Sequence, residues 1–206
     1  MASVGPSVNK PARDPEHPVP IHLPFRCRLA LHRVHERSVG VRQVRGRVAE
    51  LVARDRVLEV GSGYGDNADA CATGYLGVDT TAAVVVEARR RHPDREFLIW
   101  DLARQGAVPG EFDIALLCLA VHELTDRDRV IEVAADQARS RIVVVDYDPL
   151  IRGWARWREG ALEKGKLGRY LRFDLIGFLA ARGWVEAESR PLGEVYRSWV
   201  FVPADC

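Results

Sequence analysis

The chain has 206 residues, with 30 basic and 29 acidic side chains and a formal net charge of +1; this is room for one ample domain, with no charge bias toward nucleic acid or an anionic membrane surface. No run approaches the roughly 20 apolar residues of a membrane span, and no basic stretch leads into an apolar one at the start, so a cytoplasmic location is expected. Cys27, Cys71, Cys118 and Cys206 stand far apart, without CxxC spacing or a Cys/His cluster, which excludes a disulfide framework and leaves no metal site expected.

Residues 1–24 carry six of the 11 prolines and no periodic apolar positions, and read as a flexible tail. A domain is expected from 25 to 206. It opens at 25–54, where Leu29, Leu31, Val34, Val41, Val44, Val48, Leu51 and Val52 fit one or two amphipathic helices, with Gly40 or Gly46 as the break. Strand and helix signals then alternate: strand Val57–Val60 and helix Asp66–Ala72, strand Tyr75–Val78 and helix Thr81–Arg91, strand Glu96–Trp100, strand Phe112–Cys118 and helix Asp126–Ala138. The β-branched strand Arg141–Val145 follows. This rhythm predicts a parallel sheet of at least five strands with helices on both faces.

Between 149 and 168 the pattern is interrupted by Leu150, Ile151, Trp154, Trp157, Ala161 and Leu162 at near-helical spacing among basic residues. Trp154 and Trp157 read equally well as a lid over a substrate pocket or as a core helix or homodimer contact. A helix over Tyr170–Arg182, stopped by Gly183, precedes two closely spaced strands, Trp184–Glu188 and Arg197–Val202, whose short connection predicts an antiparallel pair.

The most informative run is Arg56-Val57-Leu58-Glu59-Val60-Gly61-Ser62-Gly63-Tyr64-Gly65-Asp66, a short strand that ends in a turn with three alternating glycines. Such a turn brings bare backbone to a ligand, or simply reverses the chain tightly. A second strand ends in Asp79, 18 residues after Gly61, where a carboxylate meets a ribose in nucleotide-binding folds. Dinucleotide binding is disfavoured. Its fingerprint is GxGxxG, whereas here the third glycine arrives one residue early and is followed by an acid, unwelcome beside a pyrophosphate.

With Glu59 to Gly65, Asp79, Asp101 after the third strand and Phe112-Asp113-Ile114-Ala115 opening the fourth, the chain resembles the class I S-adenosylmethionine-dependent methyltransferases over roughly Arg54 to Val202. Leu119-Ala120-Val121-His122-Glu123-Leu124 is similar to the small-molecule branch that includes quinone-biosynthetic enzymes, although Ala138-Arg139-Ser140-Arg141 replaces that branch's Pro-Gly-Gly turn. The resemblance implies a Rossmann-like α/β fold: a seven-stranded, mostly parallel sheet whose last strand is antiparallel. It implies S-adenosylmethionine as cofactor and S-adenosylhomocysteine as product. It gives Gly61, Ser62, Gly63 and Gly65 to the loop against the methionyl part, with Glu59 beneath them organising loop amides or the ammonium. Asp79 is placed on the ribose, Thr80 and Trp100 on the adenine faces, Asp101 and the Leu102 amide on the adenine edge, and Cys118 near the sulfonium.

The chemistry implied is in-line methyl transfer to a small organic acceptor, for which alignment and desolvation supply most of what is needed. A base is needed only where the acceptor loses a proton; His122 is the candidate, and Asp146, Tyr147 and Asp148, just past the fifth strand, are also at the ligand edge. Any of these reads alternatively as pocket wall. His122-Glu123 lacks the second histidine of a zinc-binding helix. The second functional reading is a protein that binds the cofactor or its product without methyl transfer, as a regulator or in a reaction such as cyclisation. A nucleic-acid methyltransferase is disfavoured by the neutral charge and by Cys118-Leu119-Ala120-Val121 where an Asn/Asp-Pro-Pro-Tyr/Phe motif would stand.

Overall fold

The computed structural model describes residues 25–71, 74–151 and 166–205; the prolines of 1–24 and the tryptophans Trp154 and Trp157 lie outside them. Helix α1 (Phe25–Glu36) and helix α2 (Val39–Val52) come first. They part at Arg37 and Ser38 rather than at either glycine, because Ser38 caps α2 by accepting the Val41 N–H at 3.3 Å. Val41, Val44, Val48, Leu51 and Val52 are buried along one face of α2. Buried Arg47 fastens that helix to the far end of the sheet, 2.6 Å from Glu188 and 3.4 Å from the Ser198 hydroxyl.

The elements that follow are β1 (Arg56–Val60), β2 (Gly74–Asp79), α3 (Ala82–Arg91), β3 (Glu96–Ile99), α4 (Leu102–Gln105), β4 (Phe112–Cys118), α5 (Arg127–Gln137) and β5 (Ala138–Tyr147). After them come α6 (Lys166–Tyr170), α7 (Leu175–Ala180), β6 (Trp184–Leu192) and β7 (Tyr196–Pro203). The strands form one seven-stranded sheet in the order β3-β2-β1-β4-β5-β7-β6. β1 to β5 are parallel, and β7 lies antiparallel between β5 and β6. Ile142 to Val145 are almost wholly buried, as a strand covered on both faces requires. No helix among the described residues is long and apolar enough to cross a membrane.

Two expected helices differ. Asp66–Ala72 is not an α-helix; its described residues make turns and one 3₁₀ segment, Ala68–Ala70. The Asp66 and Asn67 side chains are drawn to His32, Arg91, Arg45 and Glu59, which pins the chain as a turn. The expected helix Tyr170–Arg182 is realised only as α7, because α6 ends at Tyr170 and Asp174 accepts the Gly177 N–H at 2.9 Å to start a new helix.

Leu116, fully buried in β4 between Glu59 of β1 and Val143 of β5, tests the packing. Leu116→Ala is expected to lower unfolding free energy by about 2–5 kcal/mol, measured by urea denaturation. A cost below about 1 kcal/mol would mean that this centre of the sheet is loosely packed.

Candidate active site at the carboxyl edge of the sheet

β1 pairs on one side with β2 and on the other with β4, so the connections leaving β1 and β4 diverge to opposite sides, and a crevice opens above their carboxyl ends. A cavity of about 960 Å³ occupies that edge. Its wall follows the strand order: Trp100, Asp101 and Leu102 above β3, Asp79 and Thr80 above β2, Gly61 to Gly63 above β1, Cys118 above β4 and Tyr147 above β5. Adjacent strands are about 4.8 Å apart, so the wall crosses the sheet from one side of the switch to the other.

Asp79 organises this edge. One carboxylate oxygen accepts the Gly63 N–H at 3.1 Å and the other the Thr81 N–H at 2.8 Å, tying the loop after β1 to the turn after β2. The N–H groups of Gly61 and Ser62 both donate to Val78 O, at 2.9 and 3.0 Å. At Gly63 φ is +54°, and an added Cβ would meet open space; bare backbone faces the cavity there. Gly65, expected in the same role, does not line the cavity. Its φ is +77° and a Cβ would stand 2.6 Å from the Phe97 ring, so that glycine serves packing against β3.

Ser62 is buried at the cavity wall, and its hydroxyl has no hydrogen-bond partner among the described residues, a state that favours a bound ligand able to supply one. Asp101 caps α4, one oxygen accepting from Ala103 N–H at 3.0 Å and Arg104 N–H at 3.3 Å, with the other oxygen 3.5 Å from Arg104. Asp101 is therefore a helix cap whose carboxylate still borders the cavity. The Trp100 indole N–H donates to Gly106 O at 2.9 Å, which fixes the ring at the same end.

Glu59 is 1 % exposed. It holds side chains rather than loop amides: Asn67 donates to it at 2.6 Å and the Tyr75 hydroxyl donates to its other oxygen. Burial pushes its carboxyl up to about 7, with the Tyr75 and Asn67 hydrogen bonds pulling the other way. Burial also pushes the Cys118 thiol up to about 12, against the pull of Arg45; it is a protonated, small apolar wall, not a nucleophile. Next to it Leu119 has φ of +53°, alone among non-glycine residues of the described chain, a strained turn of the kind that gathers at functional sites.

His122 and Tyr147 come together through Asp146. Asp146, wholly buried, stands 2.8 Å from His122 Nδ1 and accepts the His122 backbone N–H at 3.2 Å and the Tyr147 N–H at 2.8 Å. The Tyr147 ring meets the imidazole edge-on at 4.8 Å between centroids. One carboxylate thus holds the imidazole and two backbone N–H groups, and an imidazole that donates from Nδ1 to it carries its lone pair on Nε2.

A polar cluster at the other wall was missed altogether. His32 and Glu36 of α1, Arg45 of α2 and Asp66 after the glycine loop all line the cavity. Glu36 takes Arg45 side-on, accepting from Nε at 2.9 Å and from Nη2 at 2.7 Å, and His32 Nε2 is 2.7 Å from Asp66. Burial opposes the Asp66 charge, but His32, Arg45 and Arg91 outweigh it and hold its carboxyl below the usual range. One atom each of His32, Glu36 and Asp66 lies within 4.8 Å of the others, a spacing open to a metal ion. Arg45, 2.7 Å from Glu36 and 3.7 Å from Asp66, already places a cation among them. The i, i+4 spacing of His32 and Glu36 was legible; their meeting with Asp66 depends on how α1 crosses the loop.

Residues 58–141 match the family model of a methyltransferase domain. No curated protein matches the chain in sequence. Among solved structures, magnesium protoporphyrin IX methyltransferase from Synechocystis PCC 6803 with bound S-adenosylhomocysteine is 21 % identical with a TM-score of 0.58, covering 80 % of this chain and 84 % of its own. A possible histamine N-methyltransferase from Thermotoga maritima is 17 % identical with a TM-score of 0.65, covering 85 % and 97 %. The plantazolicin methyltransferase BpumL is 10 % identical with a TM-score of 0.63, covering 87 % and 91 %. The fold is therefore that of the class I methyltransferases, with the expected sheet and its antiparallel strand. Over residues 58–141 the chain matches a methyltransferase domain, on the fold in which the Synechocystis enzyme holds S-adenosylmethionine and S-adenosylhomocysteine.

The Glu59 carboxyl gives a pH signature. Its folded value, about 7, lies above the usual 4.5, so between these pH values the folded state keeps a proton that the unfolded chain releases. That contribution is complete below about pH 4.5 and is lost as pH rises through 7, by roughly 3 kcal/mol at most. Glu59→Gln is expected to flatten this part of the stability–pH profile in urea denaturation. Parallel profiles for variant and parent would contradict it.

Proposed function

We propose that the protein transfers the methyl group of S-adenosylmethionine to a small organic acceptor bearing an ionisable O–H or N–H, with His122 as the base and Asp146 positioning it. The observation that carries this reading is the buried Asp146–His122 pair on the wall of the cavity. The near-neutral charge of the chain and the solved relatives, one acting on a porphyrin, support a small acceptor over a polyanion. Cys27, Cys71 and Cys118 are free thiols, in keeping with a cytoplasmic setting.

Several wall residues fit the cofactor: Asp79 offers carboxylate oxygens at the ribose position, Ser62 an unpartnered buried hydroxyl and Gly63 open backbone. Asp101 and Leu102 would bound the adenine, with Thr80 and Trp100 beside them, and Gly61, Glu59 and Cys118 would border the methionyl part. When bound, the cofactor supplies an activated methyl on sulfur for in-line displacement. The protein aligns the acceptor, excludes water and accepts its proton at His122 Nε2, while Asp146 keeps Nδ1–H in place and stabilises the imidazolium. Tyr147 holds the imidazole from the side and walls the acceptor.

Incubation of the protein with S-adenosylmethionine and a panel of phenols, amines and hydroxylated rings, read by S-adenosylhomocysteine release and product mass, tests the reaction. His122→Ala is expected to lower kcat by about 10²–10⁴-fold with little change in cofactor affinity; full activity would return the histidine to the scaffold. Asp79→Ala is expected to weaken cofactor binding by about 1–3 kcal/mol, measured by calorimetry. Unchanged affinity in a folded variant would remove the ribose from that position.

A further inference from the structure

The loop that carries His122 is fastened by an arginine whose own bonding is incomplete. Arg127, at the start of α5, donates from Nε to Val121 O at 3.0 Å. Its guanidinium lies 4.9 Å from the centre of the Phe173 ring and 5.9 Å from that of the Tyr170 ring. The two terminal nitrogens, which carry most of a guanidinium's donors, meet no hydrogen-bond or ion-pair partner among the described residues. Arg45, Arg47, Arg91, Arg141 and Arg197 are each met by a carboxylate; Arg127 is not. Asp146 is already engaged by His122 and two backbone N–H groups. Burial pulls the Arg127 guanidinium below its usual range, with Asp146, Asp128 and Tyr170 acting against it and Arg169 acting with it. Arg169 is exposed and likewise has no carboxylate partner among the described residues. A half-buried cation with a free planar fork, laid on aromatic rings beside a second unpaired arginine, is stabilised by an anion.

We propose that Arg127 is an anion-recognition residue of the acceptor site, its terminal edge receiving a carboxylate or phosphate carried by the methyl acceptor. This rests on the reading of His122 as the base. The carbonyl that Arg127 holds belongs to the residue before His122, so Nε stands within about 6 Å of the His122 Cα, which keeps the anionic group and the reacting O–H or N–H on one small molecule. Asp126 and Val130, on either side of Arg127 in the chain, line the cavity. The Tyr170 hydroxyl donates to Tyr147 O at 3.0 Å, so a ring that flanks the guanidinium is tied to the residue that packs on the imidazole. Glu123 and Asp126 are the other charged side chains on this stretch of wall; both are acids, and discrimination for an anion falls to Arg127.

The test is calorimetric titration of the full chain, with S-adenosylhomocysteine present and in a buffer free of phosphate and sulfate, using benzoate, phenyl phosphate and the neutral benzamide as probes. Wild-type protein is expected to bind at least one of the two anions about 10-fold or more tighter than benzamide. The tighter anion tells whether the acceptor carries a carboxylate or a phosphate. Arg127→Met is expected to erase the preference while leaving benzamide affinity unchanged, a selective loss that an arginine serving only to fasten the loop would not produce. Arg127→Gln, which keeps an N–H toward Val121 O, is the second neutral variant should the methionine variant not fold, and it too should erase the preference. A preference that survives in a folded neutral variant, or is absent from the wild type, overturns the role of Arg127. Because the preference is read without turnover, failure of the base reading is seen separately, as full activity in His122→Ala.

Discussion

Everything at the site depends on the pairing of β1 with β2 on one side and β4 on the other. Parallel strands need crossovers over the faces of the sheet, and where the direction of winding reverses, the loops from neighbouring strands separate and leave the strand ends uncovered. Five strands deliver their final residues to that gap, so a ligand placed there can be read along its length by side chains that are distant in sequence. Asp79 stiffens the gap with its bonds to Gly63 and Thr81. The antiparallel β7 extends the sheet beside β5 and gives α2 a surface to be anchored on through Arg47, which brings Arg45 to the cavity.

The two walls of the cavity solve different electrostatic problems. On the β4–β5 side, a fully buried carboxylate is satisfied by two backbone N–H groups and an imidazole, so orientation is fixed without a fixed positive charge. On the α1–α2 side, charges are paired but incompletely engaged, with Arg45 shared between Glu36, Asn67, Asp66 and Cys118. Glu59 lies between these walls, with a carboxyl pushed up to about 7 by burial. A cation brought near it favours the ionised form, so the acid beneath the glycine loop is poised to respond to a sulfonium or ammonium.

Much of this was legible in the sequence because it depends on local periodicity. All seven strands were placed within a few residues, and Arg141–Val145 was recognised as interior because a β-branched run without polar alternation has no face for water. That Asp79 and the glycine loop stand at the same strand edge was legible for a similar reason: a turn that ends a strand has few chemical options. The failures share a different origin. Gly65 looks like its neighbours in sequence, and only the position of Phe97 shows that it serves packing. The helix expected at Asp66–Ala72 gave way to side-chain bonds reaching 34 residues back to His32 and 22 back to Arg45. Asp146 and His122, 24 residues apart, were each seen at the correct edge, but their contact follows from sheet register. Arg45 was one arginine among many on an amphipathic pattern, and nothing local separates it from Arg42 or Arg47.

The central claim is that the cavity at the carboxyl edge is a site for S-adenosylmethionine and its product. Calorimetric titration of the full chain with S-adenosylhomocysteine, after removal of any ligand carried through purification and with NAD as the control, tests it most directly. The account predicts saturable one-to-one binding of S-adenosylhomocysteine and no heat of binding from NAD. A folded, ligand-free protein that ignores S-adenosylhomocysteine, or binds NAD as well, would contradict it.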